Sequence, residues 1–470
     1  MVKMKTQRNL DSPMHLWAMK NTDIKQNITG FESHLIEQGY EVEKKAKIYL
    51  EMYIANKPEY HEIIWQETYS DKKCQVTVDA LIYNSNLQSY DLYEIKSSTK
   101  IKNKNLEDVT FQFLVLNKLL PINKMYILHL NKDYIRQGDL DLQKLFIAND
   151  VTEKIHNLKP TSEEKINDAF QIMQKKSHLG IAACSKPKIC PYRDLCHPDL
   201  PSLSIYDVPR LHKSKITKLR NNNIISMQEI PDNFELSEKQ RAIVSAAKKN
   251  CLTVNRGLLK EELKKLIFPL YFLDYETYNS AIPLFDGYSP QQHIVFQYSL
   301  HIVEKNDLDL QHYEFLAKQK NDTIFLLESL KQHIGATGSV LVWNKTFEIG
   351  RNKEMALRYP AYADFLNDLN NRIYDLADPI NKGHYVHPKF KGSWSIKNVL
   401  PVMVSNLSYK TLEIQKGDEA MLTWWDLANK NTNHNNDFSP EQQKKAQSLL
   451  DYCKLDTLAM VKIWQKFNEL

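Results

Sequence analysis

The sequence predicts an α/β protein with two domains, and three observations support this assignment. The chain has 470 residues, which is more than one hydrophobic core usually organises. Its hydrophobic content of 42% and its charged content of 25% are ordinary for a folded protein. Segments with the two-residue period of strands alternate with segments of helical period. We predict a first domain over residues 1–200, a basic helical connector over 201–265 and a second domain over 266–470.

Composition narrows the class of protein. The chain has only 12 Gly and contains neither a P-loop motif nor a GxGxxG motif, so ATP-driven chemistry is not expected. Residues 1–19 lack the apolar core of a signal peptide, and no apolar run is long enough to cross a membrane. Six Cys in a chain of this length do not form a disulfide framework. We therefore expect a cytoplasmic protein without a membrane partner, and the net charge of +5 permits a polyanionic one.

Two predicted strands of the first domain bring acids and a lysine together. Cys74–Tyr83 carries Asp79, and Tyr90–Ser97 carries Glu94 and Lys96. Glu94 and Lys96 are two positions apart, so both point to the same face of a strand. For these two residues alone, a salt pair on an edge strand is the plain alternative. The hairpin-length connection predicts that Asp79 joins them, and such a group suits phosphodiester hydrolysis with bound Mg²⁺.

These residues resemble the motifs of the RecB-like branch of the PD-(D/E)XK nucleases. The matching positions are Glu43 in a Gly-x-x-x-Glu helix, Asp79, Glu94, Lys96 and Gln112. The resemblance implies a restriction-endonuclease-like fold, metal binding by the three acids, and catalytic roles for Glu94, Lys96 and Gln112. In the family, the Gln begins a Q-x-x-x-Y motif. This chain has Leu116 where the Tyr is expected.

A Cys-rich loop closes the first domain. It reads ACSKPKICPYRDLCHP and contains Cys184, Cys190 and Cys196 at regular spacing. The spacing favours zinc or iron–sulfur ligation over a chance grouping of thiols. RecB-like nucleases hold a 4Fe–4S cluster with three late Cys and one early Cys, so the resemblance implies that these three bind a cofactor. Ser12 stands at the early position, which leaves open an incomplete or three-coordinate cluster, completion by His15 or His197, or loss of the cluster.

The stretch LIFPLYFLDYETYN predicts a buried strand that ends in two acids. Leu266–Leu273 is apolar apart from one Pro, and its length suits a strand buried on both faces. Asp274 and Glu276 follow on one face of the chain. Repulsion between carboxylates this close is tolerable mainly where a divalent cation binds. An acidic turn is the alternative interpretation.

Later segments supply further acids in helices. A helix after the predicted strand Val340–Trp343 carries Glu348, and a helix over Glu441–Phe467 places Tyr452 and Asp456 on one face. In this order the residues resemble the DnaQ-type exonucleases of the Tyr class, which have an RNase H-like fold. The resemblance implies a water-orienting role for Tyr452 and metal binding by four acids, namely Asp274, Glu276, Glu348 in place of an Asp, and Asp456.

Together, the two resemblances match a bacterial family that fuses a RecB-like nuclease to a DnaQ-like exonuclease. They imply hydrolysis of DNA, single-stranded or with free ends, at two sites that require Mg²⁺ or Mn²⁺. Repair or defence against foreign DNA is the expected setting. The alternatives are a 3′–5′ exonuclease directed at RNA and a nucleic-acid-binding factor with inactive sites. DNA is thus the expected partner, ahead of RNA.

Overall fold

The computed structural model describes residues 12–24, 28–305, 310–431 and 438–470. The prediction that residues 1–19 are not a signal peptide falls partly on residues 1–11, which lie outside these ranges. The predicted α/β class is confirmed, since helices and mixed sheets occur throughout. The chain forms two compact units, the first comprising Met1–Pro198 with Ser280–Gln292 and the second comprising Asp199–Asn279 with His293–Leu470. Within the described ranges, no helix has both the length and the apolar character needed to span a membrane.

A five-stranded sheet forms the centre of the first unit. The strands of this unit are β1 Tyr60–Trp65, β2 Thr68–Ser70, β3 Gln75–Thr77, β4 Ala80–Asn84, β5 Ser89–Lys96, β6 Ile122–Leu130 and β7 Phe146–Asp150. The sheet order is β1-β4-β5-β6-β7, and β2 and β3 form a separate antiparallel pair. Only the β5–β6 pair of the large sheet is parallel. The predicted strand Tyr90–Ser97 corresponds to β5.

Helices cover both faces of this sheet. They are α1 Pro13–Asn21, α2 Gly30–Ala55, α3 Asn103–Leu116, α4 Leu142–Leu145, α5 Thr152–Gln174 and α6 Arg193–Cys196. A capping box between Thr29 and Glu32 begins α2. Successive strand residues belong to different cores: Leu81 packs in the cluster of α3 and α5, whereas Ile82 packs in the cluster of α2. This alternation follows from the two-residue period of a strand.

Asp79 interrupts the predicted strand Cys74–Tyr83. The structure divides that segment into β3 and β4, and Asp79 lies in a bend between them. Its carboxylate accepts a hydrogen bond from the backbone N–H of Ile95 at 2.7 Å. Short acidic side chains often bond the backbone in this way, which competes with a regular ladder. Asp79 therefore reaches β5 from a break in the strand, and not from within it.

The second unit also contains a five-stranded sheet. Its strands are β8 Thr253–Val254, β9 Leu270–Asn279, β10 His293–Val303, β11 Gln311–Leu316, β12 Ser339–Val342, β13 Ile373–Asp375 and β14 Tyr385–Val386. The order of the large sheet is β11-β10-β9-β12-β13. The first three of these are antiparallel, whereas β12 runs parallel to both β9 and β13.

The helices of the second unit include the predicted C-terminal one. They are α7 Lys213–Asn221, α8 Glu238–Lys249, α9 Arg256–Leu263, α10 Thr323–His333, α11 Lys345–Arg358, α12 Ala363–Arg372, α13 Asp378–Asn381, α14 Ile396–Met403, α15 Gly417–Lys430 and α16 Pro440–Asn468. The connector residues 201–265 lie within this unit, where β8 pairs with β14. The long α16 packs against β9 and β10.

The strand that carries the first pair of acids begins later than predicted. The sequence predicts a strand over Leu266–Leu273 with the acids after it, whereas β9 starts at Leu270 and includes Asp274 and Glu276. Pro269 has no N–H to donate to a ladder. Beyond it, β10 pairs with β9 over its whole length, with an irregularity opposite Glu276. Both acids thus lie in the ladder with β10, whereas β12 pairs with β9 only over Leu270–Phe272.

Candidate functional site

Three carboxylates of the second unit form an acidic triad, which we define as Asp274, Glu276 and Asp456. Oxygen atoms from all three lie within 4.8 Å of one another. The alternation of β9 directs the first two to one face, while Tyr275 between them is buried on the other. Asp456 comes from α16, which is held against β10 by a 2.7 Å hydrogen bond between Thr457 and Ser299. Such a set of oxygen ligands could bind a divalent cation.

The triad concentrates negative charge without a balancing cation in contact. Burial raises the pKa of Asp274, and the charge of Asp456 raises it further. Burial and the charge of Asp274 raise the pKa of Glu276 in the same way. For Asp456, burial raises the pKa to about 6, although hydrogen bonds from Tyr409 and Tyr452 oppose the shift. Among the described residues, no Lys or Arg forms an ion pair with these carboxylates.

Two tyrosines and a lysine surround the triad. The hydroxyl of Tyr409 donates a hydrogen bond to Asp456 Oδ1 at 2.5 Å. Lys397 Nζ donates to the hydroxyl of Tyr452 at 3.0 Å, and its charge lowers the pKa of the carboxylates. Sequence reasoning identified Tyr452 but missed Lys397 and Tyr409. The only signal for Lys397 was one cation among the apolar residues of α14.

Glu348 lies beside the triad but is not part of it. It is 2% exposed, and burial together with the charge of Asp274 raises its pKa. Its Oε2 atom has no hydrogen-bond partner among the described residues. The Asp375 carboxylate accepts a hydrogen bond from the backbone N–H of Lys345 at 2.9 Å, which fixes the start of α11. The structure therefore brings Asp274, Glu276, Asp456 and Tyr452 together and places the fourth acid next to them.

Two small residues, Cys453 and Gly417, complete the surroundings of the triad. The thiol of Cys453 lies 3.5 Å from Asp274 Oδ2. A Cβ atom on Gly417 would lie only 3.6 Å from Glu276 Oε2. Gly417 therefore leaves space next to this carboxylate that a larger residue would take. Nothing in the sequence indicated either residue.

The first unit contains a second group of charged residues, centred on Glu94 at the end of β5. The Lys96 ammonium hydrogen-bonds the Glu94 carboxylate and also Asp108 Oδ2 at 3.2 Å. Gln112 Nε2 donates to Glu94 Oε2 at 2.7 Å. The predicted residues Glu94, Lys96 and Gln112 thus meet, whereas Asp108 was not predicted as part of the group. Leu116, at the position expected for Tyr, is fully buried in the core.

A glutamine links the remaining two acids of this group. Gln66 Nε2 donates to Asp79 Oδ1 and to Glu43 Oε1, in both cases at 3.1 Å. Gln66 has a φ of 50°, a left-handed conformation that is uncommon for residues other than Gly. It follows β1, in a turn whose geometry could not be inferred from composition. Sequence reasoning therefore missed it.

Lys96 offsets part of the negative charge of this group. Burial raises the pKa of Glu94 to about 8, with a contribution from the charge of Asp79. Burial also raises the pKa of Asp79. For Lys96, burial acts to lower the pKa, but attraction to Glu94 and Asp108 outweighs it and the pKa is raised. The ammonium is thus held as a fixed positive charge among the acids.

The Cys-rich loop meets the first helix. Cys184, Cys190, Cys196 and His15 offer ligand atoms that all lie within 4.8 Å of one another, and we call these residues the Cys₃His group. His15 Nε2 lies 3.0 Å from Cys190 Sγ. Burial lowers the pKa of His15, which favours the neutral imidazole that binds metals. The chemistry of these donors could hold a metal ion, with His15 as the fourth donor beside the three thiols.

Comparisons with known proteins match parts of the chain. A domain of unknown function (DUF2779) matches residues 271–395, which include Asp274, Glu276 and Glu348. The uncharacterized protein MG366 of Mycoplasma genitalium is 30% identical over 227 residues, or 43% of this chain and 32% of that protein. The uncharacterized protein UU173 of Ureaplasma parvum is 31% identical over 167 residues, or 31% of this chain and 24% of that protein. The match therefore spans a third or less of the length of these relatives. No solved structure matches.

Proposed function

We propose that this protein is a metal-dependent nuclease that hydrolyses phosphodiester bonds of DNA at two separate sites. The observation that carries the proposal is the acidic triad, three carboxylates within 4.8 Å with the Tyr452 hydroxyl beside them. Such an arrangement is costly unless a divalent cation binds. The motif resemblances support a RecB-like, restriction-endonuclease-like first unit and a DnaQ-like second unit with an RNase H-like fold. The proposed substrate is DNA that is single-stranded or has free ends.

In the second unit, the side chains suit removal of nucleotides from a 3′ end. Mg²⁺ or Mn²⁺, bound by the triad with Glu348 nearby, would supply Lewis acidity and lower the pKa of water. Tyr452 remains protonated because burial and the charge of Asp456 raise its pKa. Since its oxygen accepts a hydrogen bond from Lys397, its orientation is fixed. We propose that it positions the attacking water, while Lys397 stabilises negative charge on the phosphate.

In the first unit, the lysine has the central role. Glu43, Asp79 and Glu94 would hold the divalent ion, and Gln66 and Gln112 fix the directions of these carboxylates. Lys96, held between Glu94 and Asp108, keeps its proton. We propose that it stabilises the charge that develops on the phosphate when water attacks. Asp108 acts on the reaction only through Lys96 and is a positioning residue.

The test uses the purified full chain, first treated with EDTA and then supplied with Mg²⁺ or Mn²⁺. Oligonucleotides of one sequence, labelled at the 5′ or the 3′ end, are offered as DNA and as RNA. We expect Asp274→Asn to abolish stepwise release of nucleotides and to leave cleavage by the first unit. Glu94→Gln should do the reverse, and the double variant should be inactive.

Three results would contradict the proposal. The first is that the wild type cleaves neither DNA nor RNA with either metal ion. The second is that the double variant is as active as the wild type, since the activity would then come from a contaminant. The third is faster cleavage of RNA than of DNA by the wild type, with loss of that activity in Asp274→Asn, which would replace DNA by RNA as the substrate.

A further inference from the structure

The Cys₃His group is too compact for the cluster that the RecB-like resemblance implies. In a 4Fe–4S cluster each ligand binds a different iron, so the ligand atoms must surround eight atoms. Here every pair of ligand atoms lies within 4.8 Å. Two thiolates on one zinc ion, with Zn–S bonds of about 2.3 Å, are at most ~4.6 Å apart and ~3.8 Å apart in a tetrahedron. The spacing therefore matches a single ion.

The identity of the fourth ligand supports the same conclusion. Ser12 takes the place of the early Cys, and its buried hydroxyl has no hydrogen-bond partner among the described residues. His15, one helical turn later, is the residue that contacts Cys190. Three thiolates and one imidazole are a common ligand set of structural zinc sites. A closed set of four protein ligands leaves no position for a substrate, so the ion would have a structural role.

The surroundings show what such an ion would join. His15 belongs to α1, whereas the three Cys lie 169 or more positions later, with 175 between His15 and Cys190. Met14, Trp17 and Ala18 of α1 pack in one apolar cluster with Cys184 and Cys196. The Trp17 indole also donates to the carbonyl of Lys175 at 2.9 Å, just after α5. This apolar cluster is small, and a metal ion would add the binding energy that small clusters lack.

We propose that His15, Cys184, Cys190 and Cys196 bind one structural Zn²⁺ ion that fastens α1 to the end of the first unit. This inference is independent of the nuclease proposal, because zinc content and nucleolysis are measured separately. It also replaces the iron–sulfur cluster expected from the resemblance.

The test measures metal directly. The full chain is produced in medium with both iron and zinc and is purified without oxygen. EDTA then removes ions from carboxylate sites, and a mercurial reagent releases ions held by thiolates. We expect about one zinc per chain in the thiolate fraction, with no acid-labile sulfide and no absorption near 400 nm. Four irons with sulfide, or no metal in this fraction, would overturn the proposal.

Variants then identify the fourth ligand. Ser12→Ala and His197→Ala should retain zinc, whereas His15→Ala should bind it at least ~10-fold more weakly. His197 is a demanding control because its ring lies 3.4 Å from Cys184 Sγ. Since His15→Ala could also disturb folding, Co²⁺-loaded His15→Cys provides a second measurement. Its thiolate-to-cobalt absorption should exceed that of the wild type, and an identical spectrum would exclude His15 as a ligand.

Discussion

The two acidic groups of this protein differ in the residues that offset the repulsion between neighbouring carboxylates. Around Glu94, the protein supplies its own cation, Lys96, and amide groups from Gln66 and Gln112 fix the acids. In the acidic triad, the partners are the Tyr409 hydroxyl and the Cys453 thiol, which carry no positive charge. The first group therefore contains one cation in contact with its acids, whereas the triad contains none. If the triad binds a divalent ion as proposed, we expect it to depend on that ion more than the first group does.

We expect the largest loss of activity when Lys96, the cation among the acids of the first unit, is removed. Lys96→Met leaves Glu94 and Asp108 without their shared partner. Loss of a positive charge aimed at the phosphate should reduce cleavage by the first unit roughly 10³-fold. The rate is best measured in an Asp274→Asn background, so that only the first unit contributes. Lys104→Met, an exposed lysine nearby, is the matched control and should cleave normally; equal losses in both variants would refute the role of Lys96.

We expect the next largest effects on activity when the hydroxyl groups of Tyr452 and Tyr409 in the second unit are removed. Tyr452→Phe removes the group proposed to position water, so kcat for nucleotide release should fall about 10²-fold with little change in the Mn²⁺ requirement. Tyr409→Phe removes a hydrogen bond from Asp456 and should mainly change the Mn²⁺ concentration needed for half-maximal activity. Titration of activity with Mn²⁺ separates the two. Identical behaviour of both variants would argue against distinct roles.

Metal binding should stabilise the second unit more than the first. At a Mn²⁺ concentration ten times the dissociation constant, binding to the folded state adds about 1.4 kcal/mol. We expect Asp274→Asn to abolish this gain and Glu94→Gln to retain most of it. Hydrogen exchange, read separately for peptides of each unit, provides the measurement. If Mn²⁺ slowed hydrogen exchange only in peptides of the first unit, the prediction that the second unit is stabilised more would be wrong.

The smallest effect is a loss of stability from two histidines in mild acid. The rings of His301 and His312 lie 4.4 Å apart, tilted by 36°, in the second unit, near Lys454 and Glu314. Burial lowers the pKa of His301 to about 3 and of His312 to about 4. Because the unfolded chain takes up these protons below about pH 6.5, the contribution of the two histidines to stability should fall as the pH drops from 6.5 toward 4. The buried carboxyls with raised pKa contribute in the opposite direction.

The expected loss is under ~1 kcal/mol per histidine at pH 6 and grows below it. The free energy of unfolding of His301→Gln, relative to that of the wild type, should rise as the pH falls, because the variant lacks the loss due to His301. Urea unfolding at several pH values, with Mn²⁺ absent from both proteins, tests this. Parallel curves for the two proteins would show that His301 does not contribute.

Sequence reasoning reached the parts of the molecule that have a regular period. The helix with Glu43, the strand with Glu94 and Lys96 and the long C-terminal helix are present as α2, β5 and α16. Periodicity also placed Asp274 and Glu276 on one face. These predictions succeed because strand and helix geometry fix the direction of side chains that are close in sequence.

The residues that support the sites could not be inferred in this way. Gln66, Asp108 and Tyr409 reach the acids from turns or neighbouring helices, and nothing local in their segments records that contact. The break at Asp79 arises from a hydrogen bond to Ile95, a partner 16 positions away. His15 was one of several open alternatives until the fold brought α1 to the Cys-rich loop. Tertiary contacts of this kind leave no periodic signal.

The segment Ser280–Gln292 has a consequence for how the protein is made. It links β9 to β10 of the second unit but belongs to the first, where Ala281 is a core residue and its N–H bonds Gln38. During synthesis the first unit therefore lacks part of its structure until the ribosome has passed residue 292. By then β9, with Asp274 and Glu276, has already been made. A fragment that ends at residue 200 would leave this part of the first unit open to solvent, so a single cut cannot separate the two units intact.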